Sequence, residues 1–414
     1  MFLSWKEGSG LAGENSNANA RKVAYLGILS LGIVSLMGDI VYEGSRGIVP
    51  DYLMFLGALL AMVSFVGGLG EFLGYTMRLL GGYLADATRA YWVFIFLGYG
   101  LIVSIPLLGP LGTLGLGTVI TLVLLERFGK AIRSPSRDTL LSIISKDVGA
   151  GKAFGWHELL DQIGAIIGPT IVFALMFVSA NNYGTTFTFL FVPYAVLLIV
   201  LTYTYKSLGA KVTVVETRRT SEKAKLERGF YIYTFAVLLN TMGLISYTII
   251  LAKASDVLQL TGEQWIVPLM YTFIQGVDAP SALVSGYAYD KFGIRILAAP
   301  FIISVIPSLL AIASNELPIL WVAAAFFGLV LGMHESVYRA AVSAFAPVSS
   351  RGMAYGIFNT VYGVGFLISG GLYGLFIAWN TPLILVVCYV VAIQTVATFL
   401  LLKAWQLKPQ PEQA

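Results

Sequence analysis

The sequence contains little charge, one cysteine and two histidines, and each shortage excludes a class of protein. Only 12% of its 414 residues are charged, about half of what a soluble domain carries. The single cysteine, Cys388, allows no disulfide framework and no cysteine metal site, and His157 and His334 leave little room for a histidine metal centre. A net charge of +4 provides no strongly basic face for nucleic acid. We therefore expect no metal, no other cofactor and no nucleic-acid partner.

The sequence is rich in long apolar stretches. Hydrophobic residues make up 57% of it and the mean hydropathy is +0.81; a helix needs roughly 20 such residues to cross a bilayer. Twelve stretches of that length lie near 23–44, 57–82, 91–109, 113–133, 153–179, 184–205, 230–254, 264–287, 295–313, 317–340, 353–378 and 381–403. The sequence therefore predicts an all-α protein of the lipid bilayer, with twelve transmembrane helices in two sets of six.

The domain boundaries and the orientation follow from the polar segments. The predicted parts are a disordered cytoplasmic tail (1–20), an N-terminal six-helix bundle (21–205), a cytoplasmic linker (206–228), a C-terminal six-helix bundle (229–403) and a cytoplasmic tail (404–414). Basic residues collect on the cytoplasmic side of membrane proteins, and here the side opposite the N-terminus receives only Arg46 and Lys253. Both termini are therefore predicted to be cytoplasmic, in a multi-pass protein of the cytoplasmic (inner) membrane.

The two halves resemble each other at a fixed offset, which indicates an internal repeat. The segment Gly81–Arg89 matches Ser285–Arg295, and Lys152–Pro169 matches Met353–Gly371. Two parallel repeats are related by an axis along the membrane normal, and such proteins place their binding site between the halves near the midplane.

One motif within this repeat, present in both halves, resembles that of a known family. The pattern G-x-x-x-D-[RK]-x-G-x-[RK] is matched throughout by GYAYDKFGIR in the second half, through Gly286, Asp290, Lys291 and Arg295. The first half keeps Gly82, Asp86 and a displaced Arg89 but lacks the later glycine and basic pair. On these residues the chain resembles the major facilitator superfamily (MFS) of secondary transporters.

A second motif indicates the branch of that family. Gly155, Gly164, Gly168 and Pro169 follow the spacing G-x8-G-x3-G-P, which looks like the family's antiporter motif, although its final G-G is absent. The segment Glu126–Asp138 (ERFGKAIRSPSRD) is similar to a largely uncharacterised prokaryotic branch related to drug/proton antiporters.

The first motif implies a gate. Small residues let membrane helices approach closely, so Gly82 and Gly286 are expected to sit at helix contacts. By resemblance, Asp86 and Asp290 hold the cytoplasmic side shut in the outward-facing state. The candidate partners of the two aspartates are Arg137 and Arg339. The alternative is that both aspartates are solvated loop charges.

Ionisable residues inside predicted spans are costly and are functional candidates by default. Asp39, Glu43 and Arg46 lie on one helical face, and a carboxylate that loses water there binds a proton more readily. The residues predicted to couple transport to protons are Asp39, Glu43, Glu126, Arg127 and Asp161. The alternatives are a static Glu43–Arg46 pair and a salt bridge from Asp161 to Lys130 or Arg133. Lys130 and the basic residues after it are otherwise interpreted as a cytoplasmic mouth.

The second half has fewer charges at matching positions. Glu71 corresponds to Gln275 and Glu158 to Asn359, so the coupling chemistry is expected in the first half, with Asp278 and the pair His334–Glu335 as exceptions. Polar and aromatic residues near the midplane are the candidate substrate contacts: Trp156, Asn240, Tyr247, Tyr271, Gln275, Asn359 and Tyr362. The alternative for each is ordinary packing.

These residues lead to one principal hypothesis and one alternative. The first is a secondary active transporter that moves a small organic solute by alternating access, as proton-coupled efflux of a drug or metabolite. The alternative is a proton symporter or facilitator that imports a metabolite on the same fold. No nucleophile motif, phosphate loop or metal-ligand spacing is visible, so we expect no enzyme activity. The expected partners are a small-molecule substrate, protons and lipid, and the chain is expected to be a monomer.

Overall fold

The computed structural model describes residues 8–145, 148–209 and 225–407. These residues form helices and the turns between them, with no strand in the described ranges. Residues 1–7, most of the predicted linker and residues 408–414 lie outside the described residues. Residues 8–20 of the predicted disordered tail form the start of a helix, and the predicted domain boundaries stay predictions.

The first half consists of eight α-helices. They are α1 (Gly8–Phe55), α2 (Leu60–Thr88), α3 (Tyr91–Gly100), α4 (Leu108–Leu111), α5 (Leu116–Ile144), α6 (Ala150–Val178), α7 (Tyr183–Phe189) and α8 (Phe191–Leu208). Short 3-10 turns at Leu101–Ser104 and Gly112–Leu114 continue α3 and α4. The third predicted span is therefore bent, by 43°, and Pro106 lies at the break, where it cannot donate a helical hydrogen bond.

The second half consists of nine α-helices. They are α9 (Arg228–Gly243), α10 (Tyr247–Leu258), α11 (Ile266–Phe292), α12 (Ala298–Ile303), α13 (Val305–Ala313), α14 (Leu317–Met333), α15 (Arg339–Phe345), α16 (Arg351–Ala378) and α17 (Leu383–Gln406). Short 3-10 turns occupy Gly293–Leu297 and Val348–Ser350. We call the end of the bundle at which α8 ends and α9 begins the linker end, and the opposite end, at which α1 ends, the far end.

Two helices differ from the predicted spans. Helix α1 begins at Gly8 and continues to Phe55, well beyond the apolar stretch at 23–44. A turn of π-helix, His334–Tyr338, joins α14 to α15. Such turns carry one extra residue and occur often at functional sites, and nothing in the hydropathy pattern predicts one here.

The helices are long and apolar enough for a membrane protein. Of the described helical segments, nine could cross a bilayer by length and composition, and the bent pair Tyr91–Ser104 with Leu108–Leu114 makes a tenth. Helix α5 is not among them. Its charged residues, which include Glu126, Arg127 and Lys130, lower its hydropathy. The segment Ile266–Ala313 counts once although it is 48 residues long.

Glycines set how closely α1 packs against α6. A Cβ added at Gly164 would lie 2.7 Å from the carbonyl oxygen of Leu36 and 2.8 Å from Cβ of Asp39, and one at Gly168 would lie 2.6 Å from the carbonyl oxygen of Ile40. Only glycine allows two backbones this near. The contact fixes the stretch of α1 that carries Asp39 and Glu43 directly against α6.

We predict that Gly164→Ala destabilises the protein by about 1–3 kcal/mol, because the added methyl group forces α1 away from α6. The measurement is the temperature at which half of the detergent-solubilised protein remains monodisperse in size-exclusion chromatography. Gly155→Ala is the matched control on the same helix, since a Cβ there has no neighbour within 4 Å. Equal melting of the two variants would contradict the packing argument.

Candidate functional site

A buried ionic network lies between the two halves, and Glu43 of α1 is its first centre. Its side chain, in a residue that is 5% exposed, accepts a hydrogen bond from Arg46 Nη1 at 2.7 Å and lies 3.4 Å from Lys130 Nζ. The hydroxyl of Tyr271, from α11 of the other half, donates to its second oxygen at 2.6 Å. Lys130 thus reaches the centre of the molecule, and its interpretation as part of a cytoplasmic mouth was wrong.

Arg127 of α5 is the second centre of the network. Its Nη1 lies 3.0 Å from Glu71 Oε1, its Nε lies 3.6 Å from Glu126 Oε2, and its Nη2 donates to the hydroxyl of Tyr247 at 2.9 Å. Gly70 of α2 makes room for this side chain, because a Cβ there would lie 3.3 Å from Arg127 Cγ. Glu71 and Tyr247 belong to different halves, so the guanidinium bridges them.

Asp39 lies one turn before Glu43 and is held differently. It is 4% exposed, and within the described ranges no cation lies close enough to form an ion pair with it. Lys130, Asp161 and Glu43 act on it electrostatically from farther away. A buried carboxylate without a close cation is costly as an anion. Asp39 is therefore the member of the predicted coupling set that is best placed to carry a proton.

Asp161 belongs to a separate cluster nearer the linker end. Its Oδ2 lies 3.5 Å from Arg137 Nη1 and 3.7 Å from Nε2 of His157. Arg137 also contacts Asp138 at 3.0 Å and donates to Ser35 Oγ at 2.7 Å. Arg137, one of the two candidate partners of the gate aspartates, is therefore bonded to Asp138, Asp161 and Ser35 in this conformation.

The predicted gate residues lie at the linker end, as expected, but their neighbours differ from the predicted partners. Asp86 is exposed and accepts a hydrogen bond from the hydroxyl of Tyr91 at 3.0 Å. Arg89 ends α2 with a left-handed φ of 57°. Asp290 is exposed at the end of α11.

The remaining gate residues make aromatic and close-packing contacts. Lys291 lies 5.3 Å from the ring centre of Phe292, and Arg295 lies 5.3 Å from that of Trp405. The closest approach of α2 to α5 falls at Gly81, where a Cβ would be 2.9 Å from Ile132 Cα, rather than at Gly82. A Cβ at Gly286 would meet only Ser336 Oγ, at 2.9 Å.

The glycine motif of α6 divides into two parts. Gly164 and Gly168 touch α1 as described above, and Pro169 follows them inside the helix. Gly155 has no neighbour within 4 Å of an added Cβ. Gly164 and Gly168 therefore pack against α1, whereas Gly155 lies on an exposed surface of α6.

Two cavities adjoin the network. Cavity 1 contains about 420 Å³ of unfilled space toward the far end, between α1, α2, α5 and α10, and Arg46, Glu126, Arg127 and Tyr247 line it. Residues of both halves line it, since α10 belongs to the second half.

Cavity 2 lies toward the linker end, where α2 and α16 meet the π-helical turn. It contains about 260 Å³ of unfilled space, and its wall is mainly aromatic with a few polar groups. The lining residues are Tyr75, His334, Glu335, Tyr338, Arg339, Phe358, Asn359 and Tyr362. His334 Nδ1 lies 3.0 Å from the hydroxyl of Tyr362.

The predicted substrate contacts separate into groups. Tyr247 and Tyr271 belong to the ionic network, and Asn359 and Tyr362 line cavity 2. Gln275 is buried on α11 and Trp156 is exposed on α6.

Asn240 lies outside both cavities. It is fully buried within the second half, where its amide binds Ser304 Oγ at 2.9 Å and Gln394 Oε1 at 2.8 Å and its oxygen accepts from Tyr338 at 2.6 Å. With all these partners Asn240 is occupied in packing the second half.

The far end is closed by contacts between the halves that the sequence did not suggest. Asp51, fully buried near the end of α1, accepts hydrogen bonds from Tyr183 at 2.8 Å and from Ser255 of α10 at 2.6 Å. Asn181 donates to the carbonyl oxygen of Gly262 at 2.7 Å. Because Asp51 follows the predicted first span, it is read from sequence as a loop residue, and no local pattern identifies partners so distant in the chain.

The close contact between α2 and α16 continues this closure. Ser64 Oγ donates to the carbonyl oxygen of Gly370 at 2.7 Å, and a Cβ at Gly68 would lie 2.6 Å from the carbonyl oxygen of Phe366. This contact extends toward the linker end, where a Cβ at Gly356 would lie 2.6 Å from Leu79 Cδ1. Beside α6, Trp156 and Glu158 are exposed. The two halves therefore contact each other at the far end and along α2 and α16.

A buried charge network shared by two halves made of long apolar helices is the arrangement of a membrane transport protein. Comparison with known proteins identifies the family. The model described as the Major Facilitator Superfamily matches residues 234–414. An uncharacterised protein of Mycobacterium tuberculosis is 33% identical over 360 residues, which cover 84% of this chain and 85% of that protein. An uncharacterised MFS-type transporter of Methanocaldococcus jannaschii is 28% identical over 359 residues, with coverages of 85% and 88%.

Solved structures share the fold at low sequence identity. A variant of the nucleoside transporter NupG matches with a TM-score of 0.68 and 13% identity, covering 92% of this chain and 100% of that one. A bacterial homologue of the human lysosomal transporter Spinster, in an inward-facing and unoccupied conformation, matches with a TM-score of 0.65 and 14% identity, covering 94% and 99%. This chain belongs to the Major Facilitator Superfamily. It is a multi-pass membrane protein that transports small molecules and is not an enzyme.

We predict that Asp51→Ala opens the far end, because the substitution removes both hydrogen bonds that tie α1 to Tyr183 and Ser255. The measurement is maleimide labelling of Thr248→Cys, a position on α10 that is 6% exposed, in a Cys388→Ser background. Labelling is expected to be several-fold faster with Asp51→Ala than without it. Asp256→Asn, at the exposed aspartate next to Ser255 on α10, is the control; unchanged labelling in Asp51→Ala would contradict the closure.

Proposed function

We propose that this protein is a secondary active transporter that exchanges a small organic solute for protons by alternating access, in the direction of efflux. The observation that carries the proposal is the pair of hydrogen bonds from Tyr271 to Glu43 and from Arg127 to Tyr247, which join the charged centre of the first half to the second half. When the halves move relative to each other, these bonds break or form. The charge state of the network is therefore linked to which end is open.

Asp39 is the proton carrier in this proposal. Glu43 has Arg46, Lys130 and Tyr271 around it and Glu71 has Arg127, so these two carboxylates are stable as anions. Asp39 has no such cation, and Gly164 holds it against α6. A proton on Asp39 removes a buried negative charge, and solute binding that perturbs Lys130 or Glu43 changes the cost of keeping that proton.

The contacts of the glycine motif on α6 support exchange of the solute for protons. Its residues Gly164 and Gly168 contact α1 at the turns that carry Asp39 and Glu43, so the motif positions the proton site. Glu126 pairs with Arg127. In this proposal Glu126 has a smaller role than Asp39, as a carboxylate that partly neutralises the charge of the arginine. Metabolite import by symport or facilitated diffusion is the alternative that the experiment below distinguishes.

We further propose twelve spans with both termini in the cytoplasm of a monomer in the cytoplasmic membrane. The segment Ile266–Ala313 would be about 72 Å long as one helix at 1.5 Å per residue, more than twice the hydrocarbon thickness, and it is broken at Gly293, where φ is 64°. Helix α5 counts as a span because its buried Arg127 and Lys130 are paired with carboxylates of neighbouring helices. With α5 and a divided Ile266–Ala313 the total is twelve.

We predict that a cysteine at Leu260, which is 92% exposed at the far end, reacts with a membrane-impermeant maleimide in intact cells. A cysteine at Thr88, exposed at the linker end, is expected to react only after the cells are permeabilised. Both substitutions are made in the Cys388→Ser background. The reverse pattern would invert the proposed orientation, and labelling of both positions in intact cells would contradict the odd number of spans, five, that the proposal places between Thr88 and Leu260.

We predict that solute binding releases protons from the purified, weakly buffered protein, and that Asp39→Asn abolishes the release. The solutes are a panel of lipophilic cations, neutral drugs and metabolites, and the measurement is the change in pH with a soluble indicator. Glu126→Gln is expected to reduce the release only partly, and the exposed Glu263→Gln is the control. Binding without proton release in the wild type would exclude antiport and favour a facilitator, and release that persists in Asp39→Asn would exclude Asp39 as the carrier.

A further inference from the structure

Three carboxylates at the interface have no cation bound to them. Glu158 lies on α6, Asp278 on α11 and Glu335 on the π-helical turn, so the two halves both contribute. Among the described residues, none of the three forms an ion pair. They act on one another electrostatically, since Asp278 interacts with both Glu335 and Glu158, and Glu335 interacts with Glu158. The network around Glu43 and Arg127 is different, because its carboxylates are paired.

Asp278 is the clearest case. It is 1% exposed in the middle of α11, and its Oδ1 has no hydrogen-bond partner within the described part of the chain. The charged groups that act on it are all carboxylates: Glu335, Glu43 and Glu158. Such a group is unstable as an anion unless a positive charge or a hydrogen-bond donor joins it. The described residues provide neither.

Two further polar atoms nearby also lack partners. Gln275 lies three residues before Asp278 on the same face of α11; it is 6% exposed, and its Oε1 accepts no hydrogen bond from the described residues. Nε2 of His334, a residue 3% exposed in the wall of cavity 2, is likewise unpaired in the described ranges. Gln275 Oε1 and Asp278 Oδ1 are acceptors, so what is missing is a group with N–H or O–H donors.

The walls of cavity 2 are suited to the rest of such a ligand. Tyr75 and Tyr362 meet edge to face with ring centres 4.9 Å apart, Phe358 stacks on Tyr362 at 5.9 Å, and the ring of Tyr338 stacks on that of His334 at 4.2 Å. Aromatic faces attract cations and bury apolar groups. Glu335 lines the same cavity.

We propose that Asp278, Glu335 and Glu158, together with cavity 2, form a subsite for a protonated amine that carries an aromatic or apolar group. The proposal rests on the proposed function only in requiring that a small organic solute enters between the halves. The ammonium group donates to Asp278 and Gln275 and is neutralised by the carboxylates, while its apolar group lies against Tyr75 and Tyr362. Arg339, which also acts on Glu335, lies at the edge of this subsite and disfavours cations that do not reach Asp278.

Binding of 2-phenylethylamine to the purified full-length protein tests the subsite by isothermal titration calorimetry. This amine is protonated at neutral pH, like the side chain of lysine. We expect it to bind, and we expect Asp278→Asn and Glu335→Gln each to raise its Kd by about tenfold, or about 1.4 kcal/mol. Its trimethylated analogue keeps the charge without N–H donors and is expected to bind more weakly. The anion 3-phenylpropionate is expected not to bind.

The controls separate this proposal from the proposed function. Glu263→Gln is expected to leave amine binding unchanged, and Asp39→Asn is expected to abolish proton release while the amine still binds. Absence of 2-phenylethylamine binding in the wild type, or equal Kd values in the wild type, Asp278→Asn and Glu335→Gln, would overturn the amine subsite. Amine binding that depends on Asp278 but releases no proton would support the subsite and overturn proton antiport alone.

Discussion

The pairing of Arg127 is the interaction on which the rest of the structure depends. A guanidinium in the middle of an apolar bundle is tolerated only when its charge is balanced and its donors are engaged. Glu71 and Glu126 supply the charge from the first half and Tyr247 supplies an acceptor from the second. The two repeats are therefore held together at their centre by a contact that neither can complete alone.

The two halves contribute different chemistry to this centre. The first half provides the charges, Glu43, Lys130 and Arg127 among them, and the second half provides tyrosine hydroxyls that are neutral and can either donate or accept. A hydroxyl costs little to separate from its partner compared with an opposite charge. In the proposed alternating-access movement, this asymmetry would let the halves separate without leaving an unpaired charge on either side.

Sequence patterns predicted the family, because apolar length and motif spacing are local properties. They also singled out Glu43 and Arg127 as charges within predicted spans, and Tyr247 and Tyr271 as candidate substrate contacts; the structure brings these four residues together in the central network. What depends on distant contacts was not predicted: Lys130 was assigned to a cytoplasmic mouth although it reaches Glu43. The bond between Asp51 and Ser255, which are 204 positions apart, has no local signal either.

The π-helical turn at His334–Tyr338 has a consequence for how the second half can vary. The turn takes up one extra residue, so deleting one residue from it would restore a continuous α-helix and leave α15 in its present direction. Hydropathy and length would scarcely change. The side chains of the turn itself, Glu335 among them, would move to regular helical positions, so the loss of one residue would redraw the wall of cavity 2 while the fold persisted.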